Sequence, residues 1–358
     1  MPTPWCLIFS DGTGQRGVRD DDSVKNTNVF QMFVAAENKI YLETFYDPGL
    51  GAPDEGTRDL GRVLRDGWSK WTGWGITANI VDCYEALILK WKPGTKIALF
   101  GFSRGAFTVR CLSGVLATCG IAQADRGAPI PKDKDGEGAK RRRAIAERGV
   151  AAYKLGNRQA RDEAGRAFRR DHGAADAVAD VVGVFDTVKA LGLPGIANLV
   201  NPWQFDFHDT SLSPRVPLGL QALSVDENRK VFAPILWDAP APGQRIEQVW
   251  FPGVHSDVGG GYADDWRLAD LALDWMLSRL RDEAGLHIPL TVSMNDNLVG
   301  DAHDERTGLG IFWLPGERVV SKTASLCQNI EMRFERLVPP YRPASLRDHP
   351  SVRRFYRE

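Results

Sequence analysis

The 358-residue chain has no run approaching the roughly 18 consecutive apolar residues that a membrane-spanning helix needs. Its first residues, MPTPWCLIFSDG, have no basic stretch leading into a long apolar one, so no signal peptide is read there. Together these predict a soluble protein made in the cytoplasm, with export left to a machine that needs no signal. The chain also has little cysteine. The five residues are Cys6, Cys83, Cys111, Cys119 and Cys327, an odd number with no CxxC spacing. That argues against a disulfide framework and a structural zinc site. There is no excess of either charge, the net being -1, so bulk electrostatics points to no nucleic-acid partner and no acidic tail. No internal repeat is visible. An apolar share of 43% suits a globular chain, and the length suits one large α/β domain with insertions.

The chain is organised around Lys96 to Arg110, KIALFGFSRGAFTVR. An apolar run, Ile97 to Phe100, enters Gly101-Phe102-Ser103-Arg104-Gly105, after which the apolar spacing becomes helical. A strand, a sharp turn with serine at its apex, and a helix make a nucleophile elbow. Ser103 must take a strained backbone to lift its hydroxyl clear of the sheet. Gly101 and Gly105 remove side chains where strand and helix come close. The backbone N–H of Arg104 then lies at a helix N-terminus, suited to stabilising an oxyanion.

Ahead of the elbow, Trp5 to Ser10 reads as a buried strand ending in Asp11-Gly12-Thr13-Gly14-Gln15. Gly12 or Thr13 would supply a second oxyanion N–H, with Asp11 shaping the loop. A helix is expected over 24–37, a strand over 39–46 and a helix over 76–92. Gln123 to Gly138 reads as a mobile loop. Ala139 to His172 is helical and basic, and 123–179 is expected as an insertion: a solvated bundle, or a cap meeting anionic headgroups or a partner. Val178 to Val184 is a strand ending at Asp186. The 191–207 stretch, with Trp203, is a candidate acyl-chain wall. Gly219 to Phe232 is expected to be helical and to carry Asp226. Gln244 to Pro252 is a strand running into His255, and 268–284 is an amphipathic helix. Residues 285–358 show short extended pieces packed as a C-terminal extension.

A serine nucleophile needs a base and a carboxylate to orient it. Of the six histidines, only His255 directly follows an apolar strand and precedes a triple glycine. Asp186 stands at a strand end between Ser103 and His255, in the hydrolase order, and Asp226 is the alternative acid. Phe102, Trp203, Tyr262 and Asp11 are candidate substrate contacts. No cofactor or metal is expected. Three rivals remain open: a short-chain esterase of the same fold, a metal-dependent phosphoesterase using Asp11, His255 and Asp257, and a non-catalytic binding module on the same scaffold.

GFSRGAFTVR, FSDGTGQ, VFDTV, SVDENR and WFPGVHSDVGGGY occur in this order from about Trp5 to Arg281. Together they resemble a bacterial and fungal α/β-hydrolase domain family long catalogued without a function. Its best-understood members are type VI secretion phospholipase effectors. The resemblance implies an α/β-hydrolase-like fold with a mostly parallel sheet and a Ser-Asp-His triad falling on Ser103, Asp186 and His255. It implies cleavage of an ester or phospholipid without metal. Gln15 departs from the asparagine the family tends to carry. The large C-terminal membrane-associating region of toxic members has no counterpart in the sequence, so the resemblance points to hydrolysis more than to toxicity.

Overall fold

A computed structural model of the chain describes residues 3–12, 17, 26–49, 73–133, 136–188, 211–292, 300–307, 313–337 and 339–356. Seven strands form one sheet: β1 (Trp5–Ser10), β2 (Leu42–Asp47), β3 (Lys96–Phe102), β6 (Val181–Phe185), β7 (Leu218–Ser224), β8 (Arg245–Phe251) and β9 (Ser325–Leu326). Their order is β2-β1-β3-β6-β7-β8-β9, and every pairing is parallel.

Parallel strands are buried on both faces, and alternate residues divide between two cores. Cys6, Ile8, Ile97, Leu99, Val182 and Val184 join the core beneath α2 (Gly73–Lys90) and α3 (Arg104–Cys119). Leu7, Phe9, Ala98, Phe100 and Phe185 join the core beneath α1 (Asn28–Ala36) and α7 (Arg267–Arg279). Each large apolar side chain so buried contributes about 1.5–3 kcal/mol before chain entropy is subtracted. The chain leaves β1 toward β2 on one side and returns to β3 on the other. The strand order therefore reverses at β1 and β3, and the crevice beyond their carboxyl ends is where such sheets place ligands.

Two expectations are corrected. Leu218 to Ser224 is a strand, not the start of a helix, and Asp226 follows it in a loop. LGLQALS is buried throughout, its polar Gln221 and Ser224 included, so no alternation of period two separates strand from helix. Gln123 to Gly138 is not wholly loop: it holds the ribbon β4 (Ala124–Asp125) and β5 (Ala128–Pro129) and the start of a helix. The basic stretch forms two helices, α4 (Gly136–Tyr153) and α5 (Arg158–Asp171). Ile145, Ala146, Val150, Tyr153 and Phe168 bury these against α2 and α3, on one face of the sheet.

Much of the basic charge is used within the fold. Arg142 is buried, donating to Glu85 at 3.1 Å and to the Pro131 and Asp133 carbonyls at 2.9 Å each. Arg143 pairs with Asp82, and Arg141 with Asp125 at 2.6 Å. Arg169 donates to the Ala117 and Thr118 carbonyls at 2.9 and 3.0 Å, closing the C-terminal end of α3. The segment's basic composition is therefore no measure of a headgroup-binding surface. No helix among the described residues is long and apolar enough to cross a membrane. The C-terminal segment lays β9 on the sheet edge and packs α8 (Asn329–Arg336) over Leu223, Val225 and Trp250.

Candidate active site

Ser103 is the N-cap of α3 and has φ 56° and ψ -118°, a strained conformation for a residue with a side chain. The glycines around it are sterically required. A Cβ on Gly101 would lie 2.5 Å from the Gly105 carbonyl oxygen, and one on Gly105 would lie 2.0 Å from that of Ser10. The first turn of α3 therefore rests directly on the end of β1.

Ser103 and Asp186 occupy equivalent places on neighbouring strands. Phe102 pairs with Phe185, and the Ser103 N–H donates to the Phe185 carbonyl at 3.1 Å. Asp186 also has a positive φ, 37°. Two strained residues thus stand side by side at the carboxyl ends of β3 and β6. His255 opens the short helix α6 (His255–Gly259) after β8, and its Nδ1 lies 2.6 Å from Asp186 Oδ2. Its ring packs on Phe102, with centroids 4.7 Å apart, and meets Phe232 edge-on at 4.9 Å. Its Nε2 is buried and has no hydrogen-bond partner among the described residues. Nδ1 held by a carboxylate and Nε2 left open is the arrangement a general base requires.

The triple glycine after His255 has a packing cause. A Cβ on Gly259 would clash with the Phe102 ring, 2.0 Å from its nearest atom. Gly260, at φ +84°, approaches the Asn28 backbone nitrogen. Asn28 itself donates to the Val258 and Ala269 carbonyls at 3.0 Å each, tying α1 to the histidine loop.

Asp186 is fully buried. Its Oδ1 accepts from the Ser224 N–H at 3.0 Å. Its Oδ2 takes His255 Nδ1, Arg318 Nη2 at 2.6 Å and, more distantly, Ser224 Oγ at 3.4 Å. Burial pushes this carboxyl upward, but the Arg318 guanidinium and the His255 bond outweigh it and hold it below the usual aspartate range. Asp226, the alternative acid, is used elsewhere. It accepts from the Gly253 N–H at 2.6 Å and from the Tyr341 hydroxyl at 2.8–2.9 Å, and burial pushes it up to about 6.

The oxyanion candidates divide. Arg104 begins α3, where first-turn N–H groups lack intrahelical partners. The Gly12 N–H is bonded to the Asp11 carboxylate at 2.7 Å, and Thr13 lies outside the described residues. Asp11 also accepts from Thr27 Oγ1 at 2.6 Å and Tyr46 at 2.8 Å, and burial pushes it up to about 7. Trp203 and the 191–207 stretch lie outside the described residues. Phe102, a candidate substrate contact, is 1% exposed and packs on the histidine instead. Tyr262 donates to Glu305 and stacks on His303 with centroids 3.7 Å apart. The three candidate metal ligands do not converge: His255 is on Asp186, Asp11 on Thr27 and Tyr46, and Asp257 on His303 Nδ1 at 2.6 Å.

Sequence reasoning missed four contributors. Arg318 has no surrounding motif and comes from far down the chain. Glu227 accepts from the His255 backbone N–H at 3.2 Å and is clamped by Arg229, with Nε and Nη2 each 2.8 Å from its carboxylate. Phe232 packs on His255. Only SVDENR, which contains Glu227 and Arg229, gave any sequence signal.

The family model described as "T6SS, Phospholipase effector Tle1-like, catalytic domain" matches residues 6–279. An uncharacterized protein of Saccharomyces cerevisiae is 29% identical over 103 residues, covering 26% of this chain and 15% of that protein. Among solved structures, an uncharacterized protein from Pseudomonas aeruginosa aligns with TM-score 0.44 and 17% identity, over 83% of this chain and 48% of that one. The Tle1 effector bound to the VgrG spike of the type 6 secretion system aligns with TM-score 0.35 and 19% identity, over 73% of this chain and 51% of that one. The chain thus spans about half of each of these two structures and a small part of the yeast protein.

Proposed function

The chain belongs to the Tle1-like family of T6SS phospholipase effector catalytic domains, and on that premise we propose that it is a serine hydrolase of carboxylic esters, with phospholipids as its substrate class. The observation that carries this reading is the juxtaposition of strained Ser103 and Asp186 on neighbouring strand ends, with His255 bonded to Asp186 and its Nε2 open. Ser103 Oγ attacks the ester carbonyl carbon. His255 Nε2 accepts the hydroxyl proton and then delivers it to the departing alkoxide, leaving an acyl-Ser103 ester. Water, deprotonated by the same nitrogen, releases the acid and restores the serine. Asp186 keeps the proton on Nδ1 and stabilises the transient imidazolium. The Arg104 N–H at the start of α3 is the first oxyanion donor. Gly12 can be the second only by turning its N–H away from Asp11; Thr13 is the other choice. Family membership also carries the proposal that the protein is exported as an effector.

The test is labelling by a fluorophosphonate, read by intact mass, alongside hydrolysis of a phosphatidylcholine vesicle and of a short-chain p-nitrophenyl ester. Wild type is expected to gain one adduct and to cleave the lipid. Ser103→Ala is expected to keep its fold and gain none, and His255→Ala is expected to label at least a hundredfold more slowly. An unlabelled wild type, or a Ser103→Ala variant with normal turnover, refutes the scheme. Cleavage of the p-nitrophenyl ester alone keeps the serine chemistry and removes the phospholipid assignment.

A further inference from the structure

We propose that Arg318 is a positioning residue of this site: its guanidinium fixes the Asp186 carboxylate and lowers the pH at which the Asp186–His255 pair takes up a proton. The inference rests on the reading above for its catalytic meaning, but on geometry for its substance.

The segment around Arg318 lies flat on the loop after β7. Lys230 N–H donates to the Leu314 carbonyl at 2.9 Å, and Gly316 N–H to the Asn228 carbonyl at 2.9 Å. Gly316 has no side chain where one would meet the Lys230 Cα at 2.6 Å. From this segment the chain turns its charge inward and its apolar groups out. Arg318 is 5% exposed, whereas Leu314 is 52% and Val319 86% exposed. That reverses the ordinary partition of residues. The buried guanidinium is also poorly compensated. Nη2 lies 2.6 Å from Asp186 Oδ2, while Nε and Nη1 have no hydrogen-bond partner among the described residues. A buried pair with unsatisfied donors is weak evidence for a stabilising device, because desolvation consumes most of what the attraction returns. The arrangement makes better sense as electrostatics aimed at one atom.

That atom is shared, since Oδ2 also takes His255 Nδ1. With a neutral imidazole, Asp186 and Arg318 balance in charge. When Nε2 takes up a proton, the new positive charge faces a carboxylate already neutralised by its neighbour. Arg318 therefore restrains stable protonation of the pair. The other charged groups around the ring already stand paired. Glu227 meets the His255 backbone and is clamped by Arg229, which also reaches Glu305 at 3.2 Å. Asp257 is bonded to His303, and Asp226 to Gly253 and Tyr341. The aromatic neighbours of the ring among the described residues, Phe102 and Phe232, carry no charge.

The experiment compares Arg318→Gln, which keeps an N–H donor and drops the charge, with Arg318→Lys, which keeps the charge. Two pH titrations are read on the full chain. One is the second-order rate of fluorophosphonate labelling. The other is the imidazole 15N chemical shift of His255, assigned with His255→Gln. Arg318→Gln is expected to move the acid limb and the NMR midpoint upward together, by about one pH unit or more, as loss of an adjacent charge requires. Arg318→Lys is expected to titrate within a few tenths of wild type. A glutamine variant that labels slowly at every pH with an unmoved midpoint would make Arg318 merely structural and overturn the proposal. A lysine variant shifted upward by a unit overturns it too, even if the glutamine variant does not fold. If wild type does not label, the hydrolase reading fails, and the NMR titration still decides the role of Arg318.

Discussion

Replacing Asp186 with asparagine tests the site more sharply than removing the serine, because the structure sets what the amide can and cannot do. The carboxylate accepts on both oxygens: from the Ser224 N–H on Oδ1, and from His255 and Arg318 on Oδ2. An amide has one accepting and one donating end. With its nitrogen toward Ser224 it opposes a backbone N–H. With its nitrogen toward Oδ2's partners it opposes Arg318 and drives the histidine proton from Nδ1 to Nε2, where it blocks abstraction from Ser103. Two close donors at 2.6 Å outweigh one at 3.0 Å, so the oxygen should face His255. The tautomer then survives and the lost term is charge. Two charges about 3.5 Å apart at an effective dielectric of about 20 interact by about 4–5 kcal/mol, or 10³–10⁴ in rate. Folding stability should fall by about 1–3 kcal/mol from the buried groups left unpaired. The assay is kcat/KM on a p-nitrophenyl ester at pH 8, with urea unfolding of the same samples. Asp226→Asn, which disturbs the bonds to Gly253 and Tyr341, should stay within about tenfold of wild type in rate. A folded Asp186→Asn within tenfold of wild type, beside an inactive Asp226→Asn, would move the acid to Asp226 and refute the argument.

Gly105→Ala should cost at least about a hundredfold in kcat/KM and about 1–3 kcal/mol in stability. The added Cβ would fall 2.0 Å from the Ser10 carbonyl oxygen and push the first turn of α3 off β1; normal kinetics in a folded variant would contradict this. Asp11 makes a pH prediction of definite sign. Burial raises its carboxyl to about 7, so between about pH 4 and pH 7 the native chain holds a proton that the unfolded chain has released. Asp11 therefore favours folding most at low pH, and that contribution is lost as pH rises through 7. In urea melts the stability of wild type relative to Asp11→Asn should fall across this window by up to a few kcal/mol. A constant difference would show that Asp11 is ionised throughout.

Local pattern carried the elbow, because a strand, two sterically required glycines and a helix are contiguous. It carried β1, β3 and the helix following each for the same reason. It failed at Leu218–Ser224, where burial on both faces erased the alternation that marks a strand. Composition likewise does not reveal that Arg142 and Arg169 donate to backbone carbonyls of the fold.

The sequence by itself determined the fold class, the order of the motifs and the candidates for nucleophilic chemistry. These are properties of short stretches, set by periodicity, glycine placement and strand-end position. Only the tertiary structure decided which carboxylate meets the histidine. Asp186 and Asp226 both follow buried strands, and a parallel register alone sets the first beside Ser103 and turns the second to Gly253 and Tyr341. Tertiary packing likewise brought Arg318 to Asp186 across 132 positions of chain. No local pattern encodes a contact of that separation, because it exists only after the sheet, the loop beyond β7 and the C-terminal segment have packed together.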